Sequence, residues 1–435
     1  MTQARLGRLA GWLRGANGQP GGPSGLVALD VGTEFAKALV VEVAPDEEGR
    51  VTGIVRGSGR QRQGLTHMQS GTVSDIDAVV ANCAQALAQA RDGAGGLRAS
   101  AAVIGIAGEL VKGTTSSGTV RREDPRAPMG EAELQRIVEQ VQAEALTEAE
   151  KRIAWESGVE RLDVRLVHAA VIEMKIDGYP VSNPIGFTGA QVELAVFNAF
   201  APMVHLGALQ SVAGQLGLEL LGVVAEPYAV ATCLDPGEMG DAGAVFIDVG
   251  GGTTDVALVR HGGIAGTKML ALGGRAFTRG LAERFGLSFA RAEALKLGAS
   301  GSADLPEPIE RTVLEAALAE DANIWLGGVE LMIGDLAEGE LLPARVYLCG
   351  GGAQLPQIGQ VLDEEAWWRR LPFARRPQVR ALAPEDVVGI RDGSGRLTTR
   401  QDVTPMALAH QALIIDASSG AAERAMRGAV RAMEL

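Results

Sequence analysis

A two-lobed α/β protein with a small α+β insert in its first lobe is the fold this sequence predicts, on three observations. A strand, a glycine turn and a second strand, with an aspartate at the bend, occur at LVALDVGTEFAKALVVEVA from Leu26, and the pattern returns at GAVFIDVGGGTTDVALVRHGG from Gly243. Such a repeat predicts two related lobes. Between the copies the chain changes character, with a polar helical stretch bracketed by strands, which predicts an insert. The length of 435 residues corresponds, at about 150 residues per domain, to roughly three compact units.

In chain order, residues 1–15 read as a short helix, and GANGQPGGPSG after them as a flexible Gly/Pro/Ser tether, giving a leading segment 1–24. The first lobe is discontinuous and takes residues 25–108, 188–240 and 403–420. Its first stretch holds the hairpin from Leu26 and a buried strand at AVIGIAG, residues 102–108. The insert takes 109–187: a Gly/Ser turn, an Arg/Asp/Pro loop, a polar helix from about Gly130 to Ser157, and two strands in RLDVRLVHAAVIEMKI. The chain returns with the strand QVELAVFNAFAP, a helix near 205–216 and the strand LELLGVVAEP, which suits a layered α/β core. The second lobe takes 241–402. Within it, residues 267–343 form a mainly helical subdomain, and LLPARVYLCGGGAQLP reads as a strand and then a glycine turn. Pro405–Ile415 reads as a last core helix, and 421–435 as a separate C-terminal one.

Composition narrows the function classes. Hydrophobic residues at 46% and charged residues at 21% exclude wholesale disorder and fibrous repeats. The net charge of −13 argues against nucleic acid as a partner, because neutralising phosphates needs clustered excess Lys and Arg. Cys83, Cys233 and Cys349 match neither a disulfide framework nor a metal knuckle, so a reducing cytosol is expected. No run of about 18 apolar residues is present, and the start lacks the apolar core and cleavage site of an export signal. His67, His168, His205, His261 and His410 show no metal-ligand spacing. Trp367 and Trp368 beside Arg369 and Arg370 either face a partner or seal a helix onto its sheet.

The glycine turns carry the chemistry. Taken alone, Asp30 to Thr33 is ordinary turn sequence. The second copy is different, because Gly250, Gly251 and Gly252 leave bare backbone N–H groups that an oxyanion can approach, and Thr253 and Thr254 add hydroxyl donors. Two such turns on duplicated strands can grip phosphates from both sides of a cleft while Asp30 and Asp248 hold a cation through its waters. A third glycine turn, Gly350 to Gly352, closes a strand of the second lobe.

In order along the chain, LALDVGTEFAKALV, AEPYAVA, FIDVGGGTTDVAL, AEALKLG and LCGGGAQLP resemble the first phosphate loop, first connecting segment, second phosphate loop, ribose–adenine contact and adenosine loop of the actin-like ATPases. Within that superfamily the insert before NPIGFTGAQVELAVF makes the chain similar to the FtsA division proteins, with the PilM pilus proteins second. The resemblance implies a two-lobe actin-like (ribonuclease H-like) ATPase fold, with ATP and Mg²⁺ as cofactors. It implies Asp30 and Asp248 near the metal, and Gly32, Thr33, Gly250, Gly251, Gly252 and Thr253 at the β- and γ-phosphates. Glu293 and Lys296 fall at the ribose and adenine, and Gly350, Gly351 and Gly352 at the α-phosphate and adenosine. Lys37, on the strand face opposite Ala36 and Ala38, either contacts phosphate or is a solvated strand lysine. Glu226, before Pro227 at a strand end, is the candidate water-orienting base, or else an acid capping the next helix. Catalysis is therefore assigned to Glu226 and Asp248, as a weak ATPase acting as a switch.

The same resemblance implies a membrane-associated filament of this chain that links a division polymer, an FtsZ-like tubulin homologue, to the inner face of the cell membrane. At 100° per residue Leu6, Leu9, Trp12 and Leu13 fall in one arc of about 120°, with Arg8 and Arg14 outside it and Arg5 intruding and having to snorkel, as in a helix lying in the membrane interface. Met426, Val430 and Met433 offer a weaker apolar face at the other end. The alternatives are a non-polymerising PilM-like scaffold binding a peptide of a membrane complex, and a small-molecule kinase of the same fold.

Overall fold

The computed structural model describes residues 24–46, 48–158, 162–240, 242–260, 262–299 and 309–417. Both candidate anchors, in residues 1–15 and 421–435, lie outside the described residues.

The first sheet has six strands in the order Glu219–Ala225, Arg98–Ile106, Ser24–Val31, Phe35–Pro45, Val51–Arg62 and Ile390–Asp392. Ser24–Val31 and Phe35–Pro45 form the first hairpin, whose register sets Asp30 opposite Lys37. Arg98–Ile106 and Glu219–Ala225 run parallel to it and are reached through long crossovers. The helices Ile76–Gly93 and Val403–Ala417 pack on this sheet, so its central strands are buried almost continuously and read as unbroken apolar runs. Val51–Arg62 and Ile76–Gly93 are elements that the strand and helix patterns above did not assign. Three glycines and three arginines break up the apolar signal of the strand.

The second sheet is longer than the repeat implies. Nine strands run in the order Gln378–Ala381, Arg345–Cys349, Ala244–Val249, Thr254–Arg260, Gly263–Leu270, Lys112–Arg121, Gln191–Pro202, Val164–Ile176 and Tyr179–Pro180. Ala244–Val249 and Thr254–Arg260 are the second hairpin, with Asp248 opposite Asp255. Strand alternation splits its side chains between two cores. Val245, Ile247, Val249, Val256 and Leu258 face the helices Gly274–Phe285, Arg311–Ala337 and Pro356–Asp363, whereas Phe246, Ala257 and Val259 join the core of the first lobe. Trp367 is fully buried in the second-lobe core, its Nε1 donating to Leu362 O at 2.8 Å, so it seals the helix edge rather than facing outward.

The insert differs from expectation in three ways, the first being that the expected Gly/Ser turn lies in a ten-residue strand, Lys112–Arg121. RLDVRLVHAAVIEMKI forms one strand, Val164–Ile176, in which bulges opposite Gln191–Pro202 absorb the bend that two strands would have needed. Gln191–Pro202, expected in the layered core, hydrogen-bonds between Lys112–Arg121 and Val164–Ile176. Its first half alternates over the insert's helix, Glu131–Ser157, and its last six residues are all buried as they pass into the first lobe. The insert also joins the second lobe: Gly113 and Thr114 pair with Thr267 and Gly266, and the Thr115 hydroxyl donates to the Ile264 carbonyl.

His205, in the helix Met203–Gln215, is 2% exposed, and burial pushes its imidazole down to about 4 despite a hydrogen bond with the Gly71 backbone. The unfolded chain takes up this proton near the ordinary value and the folded chain does not, so the neutral ring costs stability as pH falls from about 6.5 toward 4. His205→Gln removes that dependence. Between pH 7 and 5 the parent should lose about 2 kcal/mol relative to the variant, at about 1.4 kcal/mol per unit, in urea unfolding at the two values. A constant difference between the two proteins would refute it.

Candidate functional site

The two hairpin bends meet across a cleft of 540 Å³. The second bend needs its glycines for this approach. A Cβ on Gly251 would lie 2.6 Å from the Glu34 Cβ, and one on Gly252 2.7 Å from the Thr33 Cγ2, so the two turns touch directly. Gly350, with φ +89°, completes the floor: its Cβ would lie 2.2 Å from the Asp248 Oδ1, so only glycine lets the third turn close over that carboxylate.

Asp30, Gly32, Thr33, Lys37, Glu226, Asp248, Gly250, Gly251, Thr253, Glu293, Lys296 and Gly350 to Gly352 all line the cleft. Gly252 does not; it packs behind, on Thr33. Lys37 is no solvated strand lysine. Its Nζ donates to Asp30 Oδ2 and to the Gln401 carbonyl, both at 2.9 Å, and although burial would lower its pKa, Asp30 and the acids around it hold it above the ordinary value.

The acids form one electrostatic unit. Asp248 accepts a hydrogen bond from Thr404 Oγ1 at 2.6 Å, and burial still holds its carboxyl above the usual range. Asp255 is pushed well up by burial and by Asp248, and its Oδ1 is buried without a hydrogen-bond partner. Glu226 is pushed well up by burial and by Asp30, Asp255 and Asp248, with only Lys37 opposing. Four carboxyl groups around one ammonium are an arrangement that a divalent cation relieves. Among the described residues no three His, Cys, Asp or Glu side chains are grouped to ligate a metal directly. Oxygen donors of this kind suit a hard cation that keeps several of its waters.

On the far wall, Lys296 Nζ lies 2.8 Å from Glu293 Oε2 and donates to the Gly274 carbonyl at 2.9 Å and to Thr278 Oγ1 at 2.8 Å. Thr278 donates in turn to Glu293 Oε2 at 2.5 Å. Burial would raise the Glu293 carboxyl, but Lys296 outweighs it and holds it below the usual range.

Asp255, Thr404, Gln401, Glu34 and Arg275 also line the cleft without having been singled out from the sequence. One of them had a signal. Asp30 and Lys37 are seven residues apart, as are Asp248 and Asp255, and each pair sits opposite in its hairpin. The repeat that identified Asp248 therefore also marks Asp255. Thr404 and Gln401 come from the distant return of the chain, which no local pattern reveals.

Two lobes built on duplicated acid–glycine hairpins, with a cleft between them, define a two-lobe actin-like fold. The solved PilM–PilN type IV pilus biogenesis complex contains a chain of the same fold, with a TM-score of 0.61 and 17% identity over 89% of this chain and 98% of that one. In sequence the similarity is to FtsA: the family model for cell division protein FtsA matches residues 245–394. The cell division protein FtsA of Pseudomonas aeruginosa is 26% identical over 78% of this chain and 80% of its own length. That of Neisseria meningitidis serogroup B is 25% identical over 88% and 89%.

Proposed function

We propose that the chain is an FtsA-like division protein that binds ATP with Mg²⁺ in the interlobe cleft, hydrolyses it slowly, and assembles into filaments on the inner face of the cell membrane. The observation that carries the nucleotide reading is the contact of the two glycine turns beneath a cluster of acids with a single ammonium. Gly32, Thr33, Gly250, Gly251 and Thr253 would hold the β- and γ-phosphates, with Lys37 beside them. Asp30 and Asp248 would hold the metal through its waters, and Asp255 supplies a further unpaired carboxylate oxygen to that shell. Glu293 and Lys296 would take the ribose and adenine, and Gly350 to Gly352 the α-phosphate and adenosine. The bound metal would neutralise charge on the phosphates. Glu226, whose raised pKa makes its ionised carboxylate the stronger base, is suited to accept a proton from an attacking water.

Similarity to FtsA over most of the chain supports the division role, with an FtsZ-like polymer as partner. Membrane attachment is assigned to the apolar arc of Leu6, Leu9, Trp12 and Leu13, and no helix among the described residues is long and apolar enough to cross a membrane. One short anchor binds weakly, and a filament multiplies it. Replacing Leu9 and Trp12 together by Glu should abolish co-sedimentation with anionic liposomes while ATP binding in solution persists. Full liposome binding after deletion of residues 1–15 would move the anchor to Met426, Val430 and Met433. The fold shared with the PilM chain supports a second reading, a non-polymerising scaffold for a membrane-protein peptide. Electron microscopy on lipid with ATP separates the two: filaments favour the first, and bare dispersed particles the second.

A further inference from the structure

Arg275 reaches both phosphate-facing turns. It stands at the start of the helix Gly274–Phe285, where its backbone N–H donates to the Gly251 carbonyl at 2.7 Å and that of Gly274 to the Gly250 carbonyl at 2.9 Å. Its backbone is thereby fixed to the second turn. Its side chain crosses the cleft, and Nε donates to Glu34 Oε2 at 2.7 Å, next to Thr33 of the first turn. Glu34 Oε1 is also engaged, by Arg62 Nε at 2.7 Å, so one carboxylate serves two guanidinium groups. The two arginines are unlike. Arg62 is about half exposed, whereas Arg275 is 7% exposed and its Nη2 is buried with no hydrogen-bond partner.

A buried guanidinium with an unused N–H, in the wall of the cleft between the two glycine turns, has donor capacity that an anion in the cleft can use. We propose that Arg275 is a nucleotide-phosphate ligand held ready by Glu34. The Glu34 carboxylate keeps the guanidinium in place and partly neutralised across the cleft mouth, and a bound triphosphate engages the remaining Nη2 donor. The residue then ties lobe closure to the presence of phosphate, because one side chain joins the first turn, the second turn and the ligand. This inference rests on the nucleotide reading given above.

The test is equilibrium binding of ATP with Mg²⁺ to the full-length protein and to Arg275→Gln, Arg275→Lys and Glu34→Gln, with urea unfolding of each as the check on folding. Loss of a charge-assisted phosphate contact should weaken ATP binding about tenfold or more in Arg275→Gln. Arg275→Lys, which keeps the charge but not the planar fork, should recover part of it. Glu34→Gln should bind ATP as tightly as the parent or tighter, since it removes a negative charge and leaves Arg275 free for the ligand. Equal weakening in Arg275→Gln and Glu34→Gln would mean that the pair only pins the lobes together, and would overturn the proposal. So would parental affinity in Arg275→Gln. If that variant does not fold, Arg275→Lys binding no more weakly than the parent overturns it instead. A parent protein that binds no ATP removes the nucleotide reading itself, an outcome seen before any variant is compared.

Discussion

Asp248→Asn is expected to abolish most of the stabilisation that ATP with Mg²⁺ gives the protein, while making the nucleotide-free protein more stable. Binding to the folded state alone adds about 2.7 kcal/mol at a hundredfold excess of ligand over Kd, which a thermal melt reads directly. The carboxylate proposed to hold the metal's waters is lost, but Asn keeps the volume and an oxygen for Thr404. The gain without nucleotide follows from sign. Burial holds the Asp248 carboxyl above its unfolded value, and Asp248 in turn raises Asp255. A carboxyl raised on folding contributes stability that is full below its unfolded value and is lost as pH climbs from there through the raised folded value, so at pH 7 the ionised cluster opposes folding. The variant's advantage should grow between pH 4 and 7. An ATP-induced shift equal to the parent's in Asp248→Asn would remove Asp248 from the metal's surroundings. Such a site is less stable empty than a neutral one because it is built to be completed by a ligand.

Glu226→Gln carries the second large effect. Glu226 follows the strand Glu219–Ala225 and opens the short helix Glu226–Ala231, with Pro227 fixing the turn. Its carboxyl packs so closely on the strand Arg98–Ile106 that a Cβ on Gly105 would lie 2.5 Å from Oε1. This holds it in the cleft with Asp30, Asp248 and Asp255, which raise it. The amide is nearly isosteric but accepts no proton, so ATP should bind with parental affinity while steady-state phosphate release falls about 100-fold or more. Unchanged turnover in the variant would make Glu226 a structural acid. A parent protein with no measurable turnover would leave an ATP-gated switch without a hydrolytic cycle.

The sequence by itself determined the parts of this protein that arise within a few residues of each other. The two acid–glycine hairpins, the helices Glu131–Ser157 and Val403–Ala417 and the turn at Gly350 follow from apolar periodicity and turn chemistry, which local sequence encodes. Asp30, Asp248, Lys37 and Glu226 could be named as candidates for the same reason. Val51–Arg62 could not be read as a strand, because its burial comes from neighbours in the sheet and not from its own composition. Tertiary structure decided what those residues touch. Asp248 meets Thr404 across 156 positions, Glu34 meets Arg275 across 241, and Lys37 meets Gln401 across 364. It also decided that the insert's strands extend the second lobe's sheet, through pairs between residues 113–114 and 266–267. Sheet edges and cleft walls are completed by whichever distant segment the folded topology brings alongside. A hairpin's period specifies its own partner strand and leaves the outer edge open to any strand with unpaired N–H and C=O groups.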